Sequence, residues 1–331
     1  MKFLVIDDEH ELYRVMMNDL FTQTHYQVEE VKRVEMPSIV KKIHDIYYSR
    51  KINRFFEMPG KSLWNHWYTL HNYPFVKDET YVVIFMNGSL RHYYNERYLK
   101  NIKKQHTNVK LCLLIFDKSI YYGAKRAISM RKCFDYVFSF DEEDCKKYGF
   151  IRFYNCFSHP YGIYKDNSKQ SDAFFIGNAG GRLKKLQETF KFIATKDTKC
   201  NFFITGVDES NQEKIENVTY NKEMSFYEEM SYSYNSNCLI EILREGQTGI
   251  SLRVCEAIAF NKKLITNNIN IMREPFFDGR YMKVFTRPDE INVDFIKEKT
   301  NVNYNDTNIF SPVRILDLIN RYENEKQCIN I

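Results

Sequence analysis

The chain has 331 residues, with 48 Lys and Arg side chains against 43 Asp and Glu side chains and a formal net charge of +5. Hydrophobic residues make up 44% and charged residues 27%, a globular composition that excludes a wholly disordered, collagen-like or coiled-coil chain. At about 100–200 residues per domain, this length predicts two domains or one large one.

The first residues read as a buried strand. Four apolar residues, 3–6, precede Asp7, too few for the apolar region of a signal peptide. The longest apolar runs, 81–86 and 111–116, are far shorter than the roughly 20 residues that span a bilayer. The eight cysteines are scattered without C-x-x-C spacing, which favours buried reduced thiols. We therefore expect a cytoplasmic protein, with association at the inner leaflet of the membrane left open.

Short apolar runs alternate with amphipathic stretches of helical length in both halves. In the first half, predicted strands at 2–6, 81–86, 110–116 and 136–140 alternate with predicted helices at 9–22, 36–49, 92–105 and 120–132. In the second half, strands at 173–176, 201–205, 239–242 and 263–266 alternate with helices at 182–194, 225–234 and 251–260. This alternation predicts α/β domains with parallel sheets.

Pro, Gly, Ser and Asn interrupt the alternation near the middle of the chain and predict a linker. We place an N-terminal domain at 1–160, the linker at 161–171 and a C-terminal domain at 172–331. The prediction leaves open whether the C-terminal helix packs on the C-terminal domain or back on the first domain.

The most informative stretch joins the predicted strand 239–242 to the helix that begins near Ser251. Its loop carries Gly246 and Gly249, and a helix N-terminus that follows small residues binds anions through free backbone N–H groups. Arg244 and Arg253 are positioned to add charge-assisted hydrogen bonds to a diphosphate, and the carboxylate of Glu256 to accept bonds from ribose hydroxyls.

This stretch resembles the nucleotide-sugar site of GT-B fold glycosyltransferases, whose typical pattern is E-G-F-G-L-P-x-x-E-A-x-A-x-G-x-P-V. Gly249 and the run Glu256-Ala257-Ile258-Ala259 match it. Thr248 stands where the retaining E-x7-E pattern has its first Glu, so retention and inversion both stay open. The run Gln247-Thr248-Gly249 resembles bacterial capsule and lipopolysaccharide biosynthesis transferases more closely than it resembles this typical pattern.

The resemblance implies two Rossmann-like doubly wound parallel-sheet domains that face a cleft, the first binding the acceptor and the second the donor. It implies transfer of a sugar from a UDP-, GDP- or dTDP-sugar to a saccharide or lipid-linked saccharide in bacterial surface polysaccharide biosynthesis. No metal or further cofactor is expected, and no nucleic acid. The implied donor-binding residues are Gly177, Asn178, Arg182, Lys185, Arg244, Gln247, Thr248, Gly249, Ser251, Arg253 and Glu256.

An inverting transfer needs a general base, which we expect at the carboxyl end of a strand in the first domain, where ligands gather in parallel sheets. The candidates are Asp7, Asp8, Glu9, His10 and Asp117. Of these we prefer Asp8 and Asp117.

Positive charge is concentrated in residues 91–132, which hold 11 basic against 2 acidic side chains. Two basic, tyrosine-bearing helices in this stripe suit an anionic membrane or a lipid-diphosphate acceptor, through Lys103, Lys104, Lys125 and Arg126, unless they are ordinary solvated helix faces. Two alternatives to a transferase remain. One is a GT-B fold sugar-nucleotide epimerase, and the other is a nucleic-acid-binding protein that uses the stripe and its tyrosines.

Overall fold

The computed structural model describes residues 1–7, 10–32, 36–53, 55–56, 58–91, 94–159, 162, 165–247 and 249–329. The chain forms two compact units. The first comprises Met1–Arg14, Asn18–Tyr154 and Val313–Ile331, and the second comprises Val15–Met17 and Asn155–Pro312.

The first unit contains a six-stranded parallel sheet whose central strands are buried. Its strands are β1 (Lys2–Ile6), β2 (Gln27–Val31), β3 (Tyr81–Met86), β4 (Val109–Ile115), β5 (Tyr136–Ser139) and β6 (Ile151–Arg152). Its helices are α1 (Glu11–Met16), α2 (Asp19–Thr22), α3 (Ser38–Tyr47), α4 (Arg50–Asn53), α5 (Glu96–Gln105), α6 (Tyr122–Ser129) and α7 (Glu142–Tyr148). Short 3-10 helices occupy Lys61–Trp67, Thr69–Asn72, Ser89–Arg91 and Arg131–Cys133.

The strand order of the first sheet is β2-β1-β3-β4-β5-β6. The chain moves from β1 to one side and then to the other, so the sheet is doubly wound with its switch point between β1 and β3. The residues that follow β1, β3 and β4 therefore share the carboxyl edge of this sheet.

The second unit contains another six-stranded parallel sheet. Its strands are β7 (Ser171–Asn178), β8 (Cys200–Thr205), β9 (Val218–Tyr220), β10 (Ser236–Glu241), β11 (Lys263–Thr266) and β12 (Met282–Val284). Its helices are α8 (Leu183–Ala194), α9 (Phe226–Asn235), α10 (Leu252–Ala259) and α11 (Val293–Lys297). Its 3-10 helices are Asn167–Lys169, Glu209–Asn211, Ile269–Arg273 and Pro288–Glu290.

The strand order of the second sheet is β12-β11-β10-β7-β8-β9. Numbered within the unit, this is 3-2-1-4-5-6 read from the β9 edge, the order of dinucleotide-binding Rossmann folds. The prediction of two Rossmann-like, doubly wound parallel sheets is confirmed. The switch point lies between β7 and β10, which are hydrogen-bonded neighbours.

Residues 155–171, which include the predicted linker, and the last helix belong to different units. Residues 155–171 lie in the second unit, where the backbone N–H of Asp166 donates to the Oδ1 of Asn235 at 2.7 Å. The last helix, α12 (Val313–Ile329), lies in the first unit. Lys110 and Tyr136 both donate to the carboxylate of Glu323, which holds this helix against β4 and β5.

Within the described ranges, no helix combines the length and apolar character required to cross a bilayer.

Candidate functional site

The switch point of the second sheet is formed by two loops, residues 179–182 after β7 and residues 242–251 after β10. In open parallel sheets the loops on either side of a switch point diverge and leave a crevice for ligands. The sequence places most of the predicted donor-binding residues in these two loops or directly beside them.

The loop after β7 leads into α8 through two glycines with left-handed backbones, Gly180 at φ +46° and Gly181 at φ +83°. Arg182 occupies the N-cap position of α8, and its side chain makes no capping hydrogen bond at this helix end. In contrast, Ser251 caps α10 by accepting from the backbone N–H of Arg253 at 3.1 Å. The N-terminus of α8 is thus the better placed of the two to offer backbone N–H groups and a positive dipole end to an anion.

Two arginines bridge the switch point in opposite directions. Arg182, from the loop after β7, donates to the carbonyl oxygen of Ile242 after β10 and, at 3.1 Å, to that of Asn178. Arg244, from the loop after β10, lies against the backbone of Gly180, where a Cβ would approach its Nε to 2.5 Å. Glycine is therefore required at 180 both for φ and for the close approach of Arg244.

The two guanidinium groups repel each other. Burial and the charge of Arg244 together lower the pKa of Arg182 to about 10. The Nε of Arg182 is buried without a hydrogen-bond partner, and neither arginine has an ion-pair partner within the described residues. Negative charge placed between them would relieve the repulsion and supply the missing acceptor, so the arrangement suits a phosphate or diphosphate.

Glu241, at the end of β10, belongs to this site although the sequence analysis did not single it out. Its buried carboxylate accepts hydrogen bonds from the hydroxyls of Ser251 and Thr266, and burial raises its pKa. It thereby joins the end of β10 to α10 and β11. A carboxylate inside the apolar run Leu239-Ile240-Glu241-Ile242 was the available signal in the sequence.

Arg253 and Glu256 form a buried ion pair one helical turn apart on α10. The Oε2 of Glu256 also accepts from the hydroxyl of Ser233 on α9 at 2.6 Å, and burial raises the pKa of Glu256. The guanidinium of Arg253 also donates to Ser233 at 2.7 Å and lies 5.0 Å from the ring centroid of Phe174. These contacts bind α10 to α9 and β7. The roles predicted for this pair, with diphosphate and ribose, stay predictions.

The other predicted donor-binding residues shape the two loops. The Oε1 of Gln247 accepts from the backbone N–H of Arg244 at 3.1 Å and so closes the turn that presents Arg244. The carbonyl of Gly249 accepts from Asn268 at 3.1 Å. Gly177 lies beneath Arg182, where a Cβ would come within 2.9 Å of the guanidinium. Lys185 lies half-buried in the first turn of α8, and Thr248 lies outside the described residues.

In the first unit, Asp117 lies at the carboxyl edge of the sheet. The buried side chain of Asn87, after β3, donates to the carboxylate of Asp117 at 2.9 Å and accepts from the backbone N–H of Phe116 at 3.0 Å. This bridge orients the carboxylate at the end of β4. Asp7 pairs with Arg14 at 3.1 Å. The preferred candidate Asp8 and its neighbour Glu9 lie outside the described residues.

The basic stripe does not form one uniform surface. Lys103 pairs with Asp135 at 2.7 Å, and Lys104 is exposed on α5. Lys125 and Arg126 on α6 line a cavity together with Arg97 of α5. Tyr94 and Tyr98 are buried in the core, so these two tyrosines are not available for the surface stacking that a nucleic-acid interface would need.

The residues that the structure describes contain no group of three or more His, Cys, Asp or Glu side chains able to hold a metal ion. Seven cysteines, at 112, 133, 145, 156, 200, 238 and 255, are buried free thiols.

The chain is similar to several solved structures, over 82% to 98% of its own length. A Listeria monocytogenes protein described as a putative UDP-N-acetylglucosamine 2-epimerase matches with a TM-score of 0.49 and 11% identity, over 98% of this chain and 97% of that one. MnaA of S. aureus, in a co-structure with UDP, matches with a TM-score of 0.47, 11% identity and the same coverage. The glycosyltransferase SnogD of Streptomyces nogalater matches with a TM-score of 0.36 and 9% identity, over 82% of this chain and 83% of that one. No protein-family model and no curated protein sequence matches the chain.

Proposed function

We propose that the second unit binds a nucleoside diphosphate sugar and that the protein transfers this sugar to a saccharide or lipid-linked saccharide in bacterial surface polysaccharide biosynthesis. The observation that carries the proposal is the pair Arg182 and Arg244. Their side chains lie on the two loops of the Rossmann switch point, beside the N-terminus of α8, and neither makes an ion pair within the described residues.

This arrangement fits the chemistry of sugar transfer. As the bond to the donor sugar breaks, negative charge grows on the departing diphosphate and must be stabilised where it develops. Two guanidinium groups and the positive end of α8 supply fixed positive charge there without reorganisation. Two arginines also match the two phosphates of a diphosphate better than one phosphate.

We assign the role of general base to Asp117, with Asp8 as the second candidate. The base must accept the proton of the acceptor hydroxyl as that oxygen attacks the sugar carbon. The hydrogen bond from Asn87 orients the carboxylate of Asp117. We expect Asp117→Asn to keep nucleotide binding and to lose turnover by about 100-fold or more, measured as sugar transfer.

The first test is nucleotide binding, followed as the change in melting temperature on titration with UDP, GDP, dTDP and CMP. We expect at least one of the three nucleoside diphosphates to stabilise the protein, because a ligand that binds only the folded state raises its stability. CMP should stabilise least because it presents a single phosphate to the two arginines. The proposal is wrong if none of the four has an effect.

The second test separates a transferase from the epimerase alternative. The nucleotide sugar whose nucleotide binds is incubated with the protein in the absence of any acceptor, and the sugar is then analysed. A transferase leaves the donor sugar unchanged or releases it slowly by hydrolysis. Conversion of the donor into its epimer would replace the transferase assignment by the epimerase one.

Gly180→Ala should weaken binding of the stabilising nucleotide by about tenfold more than Gly181→Ala does. Both positions have positive φ, so both variants carry similar backbone strain of roughly 1 kcal/mol. Only at 180 does the new Cβ meet Arg244, whereas nothing lies within 4 Å of a Cβ at 181. Isothermal titration calorimetry measures the difference, and equal losses in the two variants would contradict this placement of Arg244.

A further inference from the structure

Exposed apolar side chains are concentrated in one segment of the first unit, residues 38–63. Of the fifteen large hydrophobic side chains found exposed within the described residues, seven lie there. They are Ile39, Ile43, Ile46, Ile52, Phe55, Phe56 and Leu63. Single exposed hydrophobic residues are ordinary on protein surfaces, whereas a contiguous group marks a contact surface.

Helix α3 presents an apolar stripe outward. Ile39, Ile43 and Ile46 recur every three to four residues and so share one face of the helix, and they are 73%, 50% and 57% exposed. The opposite face is already packed, since His44 is buried, stacks on Tyr48 and meets the edge of Trp64. The isoleucines are therefore not the core face of this helix.

Hydrogen bonds join described parts of the segment after α3 to the end of that helix. The side chain of Asn53 donates to the carbonyl oxygens of Tyr47 and Ser49 at 2.8 and 2.9 Å, and the hydroxyl of Tyr47 donates to the carbonyl of Pro59. Beside this contact, a Cβ at Gly60 would lie 3.5 Å from a methyl group of Leu63. The exposed phenylalanines and Leu63 therefore belong to a structured segment next to α3.

The charge of the segment selects among possible partners. Residues 38–63 hold six basic and two acidic side chains, a net charge of +4, and Lys41, Lys42 and Lys51 are exposed among the isoleucines. Protein–protein interfaces are depleted in lysine, whereas lysine beside isoleucine and phenylalanine is typical of helices that lie on anionic membranes.

A cationic cavity of about 1060 Å³ adjoins this surface and shares residues 53, 58 and 60–62 with it. Lys61, Arg97, Lys125 and Arg126 line it, and the last three have no ion-pair partner within the described ranges. Within the described residues, two members of its lining, Asn65 and Tyr98, each hold a buried side-chain oxygen without a hydrogen-bond partner.

We infer that residues 38–63 dock the first unit on an anionic phospholipid membrane. The exposed isoleucines and phenylalanines enter the interface between headgroups and acyl chains, and the cavity behind them receives a lipid phosphate. Burial of the apolar side chains supplies affinity, and the lysines and the cavity supply the preference for anionic lipid. This membrane contact shares Lys125 and Arg126 with the predicted stripe, but its exposed apolar side chains all precede residue 91, and it is independent of the nucleotide site.

Vesicle co-sedimentation tests the inference. The full chain should bind phosphatidylcholine vesicles that contain phosphatidylglycerol, bind pure phosphatidylcholine vesicles much less, and be released by raised salt. The variant I39S/I43S/I46S should lower the partition coefficient by about tenfold or more, because it removes the inserted side chains. K41Q/K42Q and K125Q/R126Q should each lower the preference for phosphatidylglycerol while keeping the melting temperature of the parent protein.

I269S/M272S is the matched control, because Ile269 and Met272 are 57% and 49% exposed in the second unit. It should bind vesicles like the parent protein. Equal binding to both kinds of vesicle would overturn the inference, and so would the same loss of binding in the control as in the isoleucine variant. It would also be overturned if the protein bound no vesicles and formed a dimer that dissociates in the isoleucine variant. The last result would assign the surface to self-association.

Discussion

Replacing Arg244 by glutamine should weaken binding of the nucleoside diphosphate by about 1.5–3 kcal/mol, or roughly 10- to 150-fold, because it removes one of two charge-assisted contacts to the phosphates. The melting temperature of the ligand-free protein should not fall. Arg244 makes no ion pair within the described residues, and its charge helps to lower the pKa of Arg182, so its removal relieves repulsion in the empty site. Calorimetric titration and thermal melting, with and without nucleotide, measure the two effects separately.

Arg287→Gln is the matched control for this variant. Arg287 is an exposed arginine of the second unit that pairs with Asp289 at 3.2 Å, away from the switch point. Its replacement should leave nucleotide affinity unchanged. Unchanged affinity in Arg244→Gln would remove the two-arginine site as the basis of the proposed function, whereas loss of affinity in both variants would point to a general effect of net charge.

Replacing Arg253 by methionine should lower the free energy of unfolding by about 3–5 kcal/mol, since it leaves the buried carboxylate of Glu256 without its cation. The loss should depend on pH in a definite direction. Burial already raises the folded-state pKa of Glu256 above its ordinary value of 4.5, and removal of Arg253 raises it further. Between pH 4.5 and that folded-state pKa, Glu256 is deprotonated in the unfolded state but still protonated in the folded state. The free energy of unfolding of the variant should therefore fall as pH rises through this range, and it should level off above the folded-state pKa. Chemical denaturation at several pH values measures this.

The double variant Arg253→Met/Glu256→Met provides the comparison. When both charges are removed, no buried group is left unpaired, so most of the lost stability should return. A double variant no more stable than Arg253→Met alone would show that the ion pair is not the source of the effect. The same reasoning makes Glu256→Ala a poor probe of nucleotide binding, because it unpairs Arg253. Arg244 is the better probe.

The sequence predicted the central strands well and the edge strands poorly. β1, β3 and β11 have the predicted bounds because each has an apolar centre and is buried over almost its whole length. β2 was missed, since Gln27, Glu29 and Glu30 interrupt its apolar residues, as suits a strand at the edge of the sheet. β9 and β12 are three-residue edge strands with too little pattern to recognise.

The donor-site prediction depended on local sequence features that can be recognised without a structure. Glycines between a strand and a helix predicted loops that let a ligand approach the backbone, and the residues near Glu256 carried the resemblance to GT-B enzymes. The sequence did not show which basic side chains come close together at this site. Arg182 and Arg244 are 62 positions apart in the chain, and they converge because β7 and β10 are neighbours in the sheet.

Sequence by itself thus determined the α/β class and the loops that flank the switch point of the second unit, because these follow from local periodicity and glycine placement. The doubly wound order of the strands was predicted only through the resemblance to GT-B enzymes. Only the tertiary structure decided that Arg253 is paired with Glu256 whereas Arg244 is left without a carboxylate partner in the described residues. Only the tertiary structure also showed that the isoleucines of α3 face outward. Charge pairing and the exposure of an apolar face depend on which elements pack together, and no local pattern carries that information.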